Sequence, residues 1–215
     1  MNDITFVNGT YRSEITVKKS RFICSIKGDV TKAEAESFIQ SIKKEFPDAR
    51  HNCFAYLIDD NTFRYSDDGE PQGTAGIPIL EVMKRKGISQ SVIVITRYFG
   101  GILLGAPGLV SAYTDCAVNG INNAKLAKKA FMLYMEVTAT YQDNANIEAL
   151  ARKKGYIKTD VKYEDVVKSI YLIEPEKKDA FVTDITEITK GKAQTELIKE
   201  GYTIVPSKEI QWKLH

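Results

Sequence analysis

The sequence predicts a mixed α+β protein of two domains, residues 1–130 and 131–215. With 215 residues and 24.1 kDa, the chain is longer than one ordinary domain requires. Eleven of its 14 glycines lie before residue 130, and the part after them shows a compact β-α-β-β-α-β order of elements. A glycine-rich part followed by a glycine-poor one indicates two domains with different roles.

The composition is that of a protein that can bury a core. Apolar residues make up 43% of the chain and charged residues 27%, which excludes wholesale disorder. No apolar run approaches the roughly 20 residues that cross a bilayer, and residues 1–4 lack the basic and apolar regions of a secretory signal. The three cysteines lie far apart, so a disulfide framework is not expected. We therefore expect a cytoplasmic protein without membrane contact.

The first half of domain one predicts a strand, a helix and a hairpin. The β-forming residues 21–26 predict the strand. Thr31 and Glu34 have the spacing of a capping box, and apolar residues at helical spacing follow them until Pro47 ends the helix. Residues 52–65 show two short strand patterns joined by an Asp-Asp-Asn turn, as in a hairpin.

The second half of domain one alternates loops with buried elements. Residues 66–76 are too polar and too rich in glycine for regular structure. A helix is expected from about Ile77, with Pro78 in its first turn, where the missing N–H costs little. The unbroken β-branched run at residues 91–96 predicts a strand buried on both faces. A glycine-rich turn then leads into a last helix, whose apolar positions are Leu109, Val110, Tyr113, Ala117 and Ile121.

Domain two is predicted to be a ferredoxin-like split βαβ unit. Its strands are expected at residues 131–140, 157–163, 166–174 and 193–205, and its helices at residues 142–154 and 176–189. Because this stretch contains no glycine-rich loop, no cysteine and no histidine before the terminal His215, we do not expect catalysis in it.

The glycine-rich turn after the buried strand is the first candidate site. Glycine adopts φ > 0 and lets the backbone approach a ligand, and a helix N-terminus adds partial positive charge. Arg97, at the end of the strand, could add a planar fork for a phosphate or carboxylate. With the N–H groups of Gly100, Gly101 and Gly105, it predicts an anion cradle. The alternative is that these glycines only permit tight turns and close packing.

The acidic loop and the histidine before it are the second candidate. Asp67, Asp68 and Glu70 could ligate a hard cation, but Asp-Asp-Gly-Glu-Pro is also ordinary turn chemistry, the interpretation that we favour. His51 and Cys53 lie on one face of a strand, yet no third group orients them, and Cys53 is expected to fill core space. We predict no metal, no cofactor and no catalytic residue.

Basic side chains concentrate in residues 71–129, which hold seven of them against two acidic ones. Among them, Lys84 and Arg85 are candidate contacts for a nucleic acid. Tyr98 and Phe99, next to Arg97, are rings on which bases could stack. The alternatives are that the cations only end helices and face solvent, and that one of the rings lies in the core.

Four motifs follow one another over most of residues 20–113. They are Ser20–Ile23, His51–Tyr56, Ser66–Pro71 with Gly73-Thr74-Ala75-Gly76, and Arg97–Gly101 with Leu104-Gly105. In this order they resemble the IMPACT family, and in particular its bacterial two-domain members.

The resemblance implies a fold and a role in translation. The first domain would have the α/β fold of domain IV of elongation factor G, and the second would resemble domain V of that factor. Both would be related in shape to modules that contact the ribosome and RNA. Eukaryotic relatives regulate translation through a protein partner that activates a stress kinase, but they have a different accessory domain, so that partner is not carried over. Pro107 and Ser111 depart from the family's Gly-Gly-Leu-Val-Arg/Lys turn and remove an N–H donor and a cation from the predicted cradle.

We distinguish three hypotheses for function. The preferred one is a non-enzymatic, translation-linked regulator that binds RNA or a ribosomal surface through the basic, glycine-rich face of domain one. The second is an enzyme, or a binder of a phosphorylated metabolite or nucleotide, that uses the Ser66–Gly76 loop against the Arg97–Gly105 loop. The third is a regulator that acts only through a protein partner. If the acidic loop and Arg97 line one cleft, the second hypothesis gains support.

Overall fold

The computed structural model describes residues 3–206 and divides into two compact units. The first unit comprises the described residues up to Lys128 and those from Val205 onward, and the second comprises Lys129–Ile204. The first unit contains strands β1 (Ile4–Val7), β2 (Thr10–Val17), β3 (Ser20–Gly28), β4 (His51–Asp59), β5 (Thr62–Ser66) and β6 (Ser91–Tyr98), and helices α1 (Lys32–Glu45), α2 (Gly76–Arg85) and α3 (Gly105–Asn122).

The first unit is built on an antiparallel sheet in the order β2-β3-β6-β4-β5. Strand β6 lies in its centre and is buried along residues 91–97, which confirms the strand predicted from the β-branched run. Apolar residues of α1 pack on one face of the sheet, together with Phe54 and Val94. Residues of α2 and α3 pack on the other face, together with Cys53 and Ile95. Covering both faces explains why β6 is apolar without alternation.

The start of the chain forms a hairpin that the sequence did not predict. The hairpin joins β2 to β3, with Val17 opposite Ser20. Its two turn residues, Lys18 and Lys19, have φ values of 44° and 67°. Two-residue hairpin turns with positive φ at both positions are usually made by asparagine and glycine, so a pair of lysines gives no pattern to recognise.

The helices of the first unit begin as predicted. The capping box of α1 is present, because the Thr31 side chain accepts from the Glu34 N–H and the Glu34 carboxylate accepts from the Thr31 N–H. Helix α2 begins at Gly76 with Pro78 in its first turn. Of the apolar positions predicted for α3, Val110 is exposed and the other four are buried.

The second unit is formed by strands β7 (Leu126–Ala139), β8 (Ile157–Tyr163), β9 (Val167–Ile173) and β10 (Gln194–Pro206), with helices α4 (Tyr141–Lys154) and α5 (Lys178–Thr189). Strands β7 and β9 are adjacent and antiparallel, β8 pairs with β9, and β10 pairs with β7. The order β10-β7-β9-β8 is that of a split βαβ unit. Within residues 3–206, no helix is long and apolar enough to cross a membrane.

Candidate functional site

The register of the central sheet brings the ends of three strands to one place. Arg97 on β6 pairs with Phe22 on β3 and with His51 on β4. The Arg97 side chain is only 7% exposed and its Nη1 lies 2.6 Å from Oε1 of Glu70, whose side chain is 3% exposed. Arg97 and Glu70 therefore form a buried ion pair between β6 and the loop that precedes α2.

Glu70 is the hub of this cluster. Its Oε1 accepts hydrogen bonds from Arg97 and, at 2.9 Å, from the hydroxyl of Tyr113 in α3. Nε2 of His51 lies 3.9 Å from the same oxygen. Burial, followed by the neighbouring Cys53 and Glu70, raises the pKa of Tyr113, so this hydroxyl keeps its proton and acts as a donor. Glu70 thus joins the loop to both the sheet and α3.

The other two acidic residues of the loop are used to fold it. The Asp67 carboxylate accepts from the N–H groups of Gly73, Ala75 and Gly76 at 2.8–3.0 Å, and so caps the start of α2. The Asp68 carboxylate binds Nζ of Lys43 and the N–H of Asn52. Thr74 is buried and donates to the Pro71 carbonyl. Turn chemistry, the favoured interpretation of this loop, accounts for these contacts.

His51 is held in one orientation by the same loop. Its Nδ1 lies 2.8 Å from the carbonyl oxygen of Asp68. Since a carbonyl can only accept, Nδ1 carries a proton, and in the neutral imidazole Nε2 is then an acceptor. The loop therefore fixes which nitrogen of His51 is available.

Cys53 does not form a catalytic pair with His51. Its thiol donates to the Asp67 carbonyl at 2.9 Å and lies 3.3 Å from the Tyr113 hydroxyl. Burial raises the pKa of the Cys53 thiol strongly. Because the thiolate is the nucleophilic form, this cysteine is inert, as expected for a core residue.

A cavity of about 380 Å³ opens above the Glu70–Arg97 pair. Its walls are apolar, and its floor is formed by the polar side chains of His51, Glu70 and Arg97, which are 12%, 3% and 7% exposed. The N-terminus of α3 borders the cavity. Phe99 and Leu103 in the wall are 42% and 83% exposed, and Arg50 lies at the rim. The main lining residues are His51, Glu70, Arg97, Phe99, Leu103, Leu104, Gly105 and Leu109. Glu70 and Arg97 thus line one cleft, whereas the Asp67 carboxylate is bound by N–H groups at the end of the loop and the Asp68 carboxylate by Lys43 and Asn52.

The predicted role of Arg97 as an open fork for phosphate is wrong. Its Nη1 binds Glu70 and its Nη2 approaches Oγ of Ser20 at 3.4 Å, so the guanidinium is already neutralised inside the protein. The prediction that the Gly100 N–H faces an anion is also wrong, because this N–H donates to Ser20 at 3.2 Å. The sequence alone does not show that Glu70 and Ser20 accept the hydrogen bonds of these N–H groups.

The glycines of this turn are required by geometry. A Cβ on Gly100 would lie 2.0 Å from the carbonyl carbon of Lys19, so only glycine permits the approach of the two backbone segments. Gly101 and Gly105 have φ values of +82° and +70°, which side chains disfavour. The alternative interpretation of tight turns and close packing therefore explains all three positions.

The remaining predicted residues lie away from the cavity. The Tyr98 hydroxyl donates to Asp48 at 2.9 Å. Lys84 and Arg85 are exposed in the last turn of α2, about 15 Å along the helix from the acidic loop. Of the sequence-predicted residues, His51, Glu70, Arg97 and Gly105 thus line the cavity, and Lys84 and Arg85 lie at the other end of α2.

Sequence reasoning missed two exposed rings next to that basic pair. Phe63 and Tyr65 occupy alternate positions of the edge strand β5 and are 42% and 43% exposed. Nζ of Lys84 lies 4.9 Å from the centroid of the Phe63 ring, within cation–π distance. The sequence signal for this surface is a pair of aromatic residues at alternate positions. Strands of ordinary hairpins show the same alternation, so the signal does not distinguish a binding surface from a structural strand. We call Phe63, Tyr65, Lys84 and Arg85 the β5–α2 surface.

Comparison with known proteins gives the chain clear relatives. The model of the Impact N-terminal domain matches residues 18–121, and the Domain of unknown function (DUF1949) matches residues 137–192. IMPACT family member YvyE of Bacillus subtilis is 40% identical over 87% of this chain and 86% of its own length. IMPACT family member YigZ of Escherichia coli is 31% identical over 86% and 92%.

More distant similarity extends to eukaryotes and to a solved structure. Protein IMPACT of Homo sapiens is 28% identical over 49% of this chain and 34% of its own. A structure described as "Crystal structure of an hypothetical protein" matches with a TM-score of 0.58 and 29% identity, over 93% of this chain and 98% of that one.

Proposed function

This chain belongs to the IMPACT family, and we propose that it is a non-enzymatic, translation-linked regulator that binds RNA or a ribosomal surface. The same proposal includes a cytoplasmic location, a protein partner in translation control, and likeness of the two units to domains IV and V of elongation factor G. Membership of this family supports a role in the regulation of translation.

The β5–α2 surface is the observation that supports RNA binding. It offers two exposed rings and two exposed cations on neighbouring elements, with Lys84 already placed over Phe63. Proteins that bind single-stranded nucleic acid combine cations that contact the phosphates with rings on which bases stack. Arg97, buried and paired, has no part in this contact. We therefore place the RNA contact at the C-terminal end of α2 and not at the glycine-rich turn.

A role in binding rather than catalysis agrees with the chemistry of the motif residues. The Cys53 thiol is buried and held protonated. The charges of Glu70 and Arg97 neutralise each other at 2.6 Å. The loop carboxylates are occupied by backbone N–H groups and Lys43. These groups stabilise the protein and are not poised to attack a substrate.

Filter binding to single-stranded RNA oligonucleotides and to bacterial ribosomes, over a series of salt concentrations, tests the proposal. The double variant Lys84→Ala/Arg85→Ala should bind more weakly. For every phosphate that the variant no longer neutralises, the slope of log K against log salt should become shallower by about 0.7. The matched control is Arg152→Ala/Lys153→Ala, which removes adjacent cations from the last turn of α4 in the second unit. In both pairs one cation lies 3.9 Å from a glutamate of its own helix.

Two results would contradict the proposal. One is an affinity and salt slope that the Lys84/Arg85 variant leaves unchanged. The other is an equal reduction of affinity in the Arg152/Lys153 control, which would mean that binding reflects total charge and not this surface. Capture of a protein partner that persists after nuclease treatment, without RNA binding, would favour the hypothesis of a purely protein-mediated regulator.

The cavity favours a second candidate function, the binding of a small ligand between the Ser66–Gly76 and Arg97–Gly105 loops. Its volume of about 380 Å³ and its apolar walls over a few polar groups are typical of small-molecule sites. A thermal-shift screen of nucleotides and phosphorylated metabolites tests this candidate. A ligand that binds the folded state raises the melting temperature, and the absence of any shift across the screen would count against it.

A further inference from the structure

We propose that the cavity above Glu70 and Arg97 receives one unpaired guanine base. The inference rests on the proposed function and deepens it, because the base could belong to single-stranded RNA or to a free nucleotide. The chemistry that recognises it would be the same in both cases.

The floor of the cavity offers acceptors. In the part of the chain that the structure describes, the hydrogen bonds to the Glu70 carboxylate end on Oε1. Oε2 accepts none of them. Among the described residues, the polar side-chain atoms that are enclosed without a partner are Ser13 Oγ, Arg97 Nε and Tyr171 Oη. Oε2 is not one of these atoms, so it is not enclosed by the protein. Nε2 of His51, 3.9 Å from Oε1, is a second acceptor when the imidazole is neutral.

The donor atoms of the floor are each bound to the protein or enclosed in it. Nη1 of Arg97 donates to Glu70, Nη2 is directed to Ser20, and Nε is enclosed. The Tyr113 hydroxyl also donates to Glu70. The two acceptors, the open oxygen of Glu70 and Nε2 of His51, are satisfied together by a ligand that brings two N–H groups of its own. A ligand that presents an acceptor there would leave buried oxygen and nitrogen lone pairs facing each other.

Guanine is the base whose Watson–Crick edge fits this requirement. It carries the N1–H and the N2 amino group side by side. Adenine and cytosine place a ring-nitrogen acceptor next to their amino group, and uracil has one N–H between two carbonyl oxygens. Two acceptors in the cavity floor therefore match the N1–H and the N2 amino group of guanine, whereas each of the other three bases would turn at least one acceptor toward them.

The walls supply the remaining contacts of a nucleotide site. Phe99 is exposed and can stack on a base, with the Arg97 guanidinium carbon 5.7 Å from its ring centroid. Leu103, exposed and in the wall, can lie against the base. Arg50 is exposed at the rim, where the phosphate of a bound nucleotide would emerge. A cavity of about 380 Å³ has room for a base and part of its ribose.

Equilibrium binding of GMP, IMP and AMP to the full chain tests the proposal. IMP is the sharpest probe, because it keeps the N1–H of GMP and lacks only the N2 amino group. GMP should bind at least tenfold more tightly than either IMP or AMP. Equal binding of GMP and IMP, or no binding of GMP at millimolar concentration, would overturn the assignment.

Two variants locate the site. Glu70→Gln replaces an acceptor by an amide and should abolish the preference for GMP over IMP, provided that circular dichroism shows a folded protein. Phe99→Ala changes an exposed ring, so it keeps the site testable if Glu70→Gln does not fold, and it should weaken GMP binding at least fivefold. The control is Phe63→Ala, which removes an equally exposed ring from the β5–α2 surface and should leave GMP binding unchanged. Equal weakening in Phe99→Ala and Phe63→Ala would exclude this cavity.

RNA oligonucleotides separate this inference from the proposed function. Oligonucleotides of uridine with one central guanosine or one central inosine should differ in affinity as GMP and IMP do, and tighter binding of the guanosine oligonucleotide than of GMP identifies RNA as the source of the base. RNA binding that depends on Lys84 and Arg85 but ignores the guanosine would leave the proposed function standing and overturn the cavity assignment. GMP binding without RNA binding would do the reverse.

Discussion

The Glu70–Arg97 pair makes a prediction about the stability of the first unit. In the Glu70→Ala variant, the Arg97 guanidinium loses its counterion while it stays buried at 7% side-chain exposure. The Tyr113 hydroxyl loses its acceptor at the same time. Removing one partner of a buried ion pair costs about 3–5 kcal/mol of unfolding free energy, because the remaining charge is left without compensation.

A surface pair in the same unit provides the control. Arg12 and Glu45 also approach to 2.6 Å, but their side chains are 45% and 46% exposed. Water solvates whichever partner remains, so Glu45→Ala should cost less than about 1 kcal/mol. The N–O separation is the same in both pairs, so the difference between the two variants measures the effect of burial together with the lost hydrogen bond from Tyr113.

Native-state hydrogen exchange of the β6 amides, followed against urea, measures the first unit separately from the second. The double variant Glu70→Ala/Arg97→Ala should cost clearly less than the sum of the two single variants, because it removes the unpaired charge. Equal destabilisation by Glu70→Ala and Glu45→Ala, or additive effects in the double variant, would refute the conclusion that Glu70 and Arg97 act as a desolvated pair.

Three further predictions concern other parts of the chain. Gly100→Ala should destabilise the first unit in urea unfolding by several kcal/mol, since its Cβ would overlap backbone, whereas Gly201→Ala, with open space around it, should have little effect. Native Cys53 should resist iodoacetamide at pH 8 and react only after unfolding, as mass spectrometry can show, because burial raises its pKa. Burial and the hydrogen bond to Asp184 raise the pKa of Tyr156 to about 12, above the usual value of about 10, so its contribution to stability is complete below pH 10 and is lost as pH rises through 12. Tyr156→Phe should remove that part of the pH dependence of unfolding.

Local patterns predicted the fold where each pattern has one physical cause. The capping box of α1 and the position of Pro78 in α2 depend only on neighbouring residues, and both are present in the structure. The β-branched run of β6 predicted a strand buried on both faces, because helices cover both faces of the sheet. The β2–β3 hairpin was missed because Lys18 and Lys19 take a turn conformation that lysine seldom adopts.

The site was predicted less well because its contacts are long-range. The sequence identified His51, Glu70 and Arg97 as residues of interest, and the structure brings them together. It could not show that Glu70 would bind Arg97 across 27 residues, or that Tyr113 of α3 would complete the cluster. An arginine next to glycines suggests an open anion site until the position of the nearest carboxylate is known.

The motifs that identify the family are used mainly inside the protein. Asp67 caps α2, Glu70 and Arg97 neutralise each other, and Gly100 lets two backbone segments approach. When the polar groups of a motif are hydrogen-bonded within the protein, the motif determines the shape of the site. The specificity for a ligand then depends on the groups that have no partner in the protein. Here the open groups are the second oxygen of Glu70 and the exposed Phe99, together with the separate β5–α2 surface, which lies outside the motifs. Relatives could therefore share the same framework and still bind different partners through the residues around it.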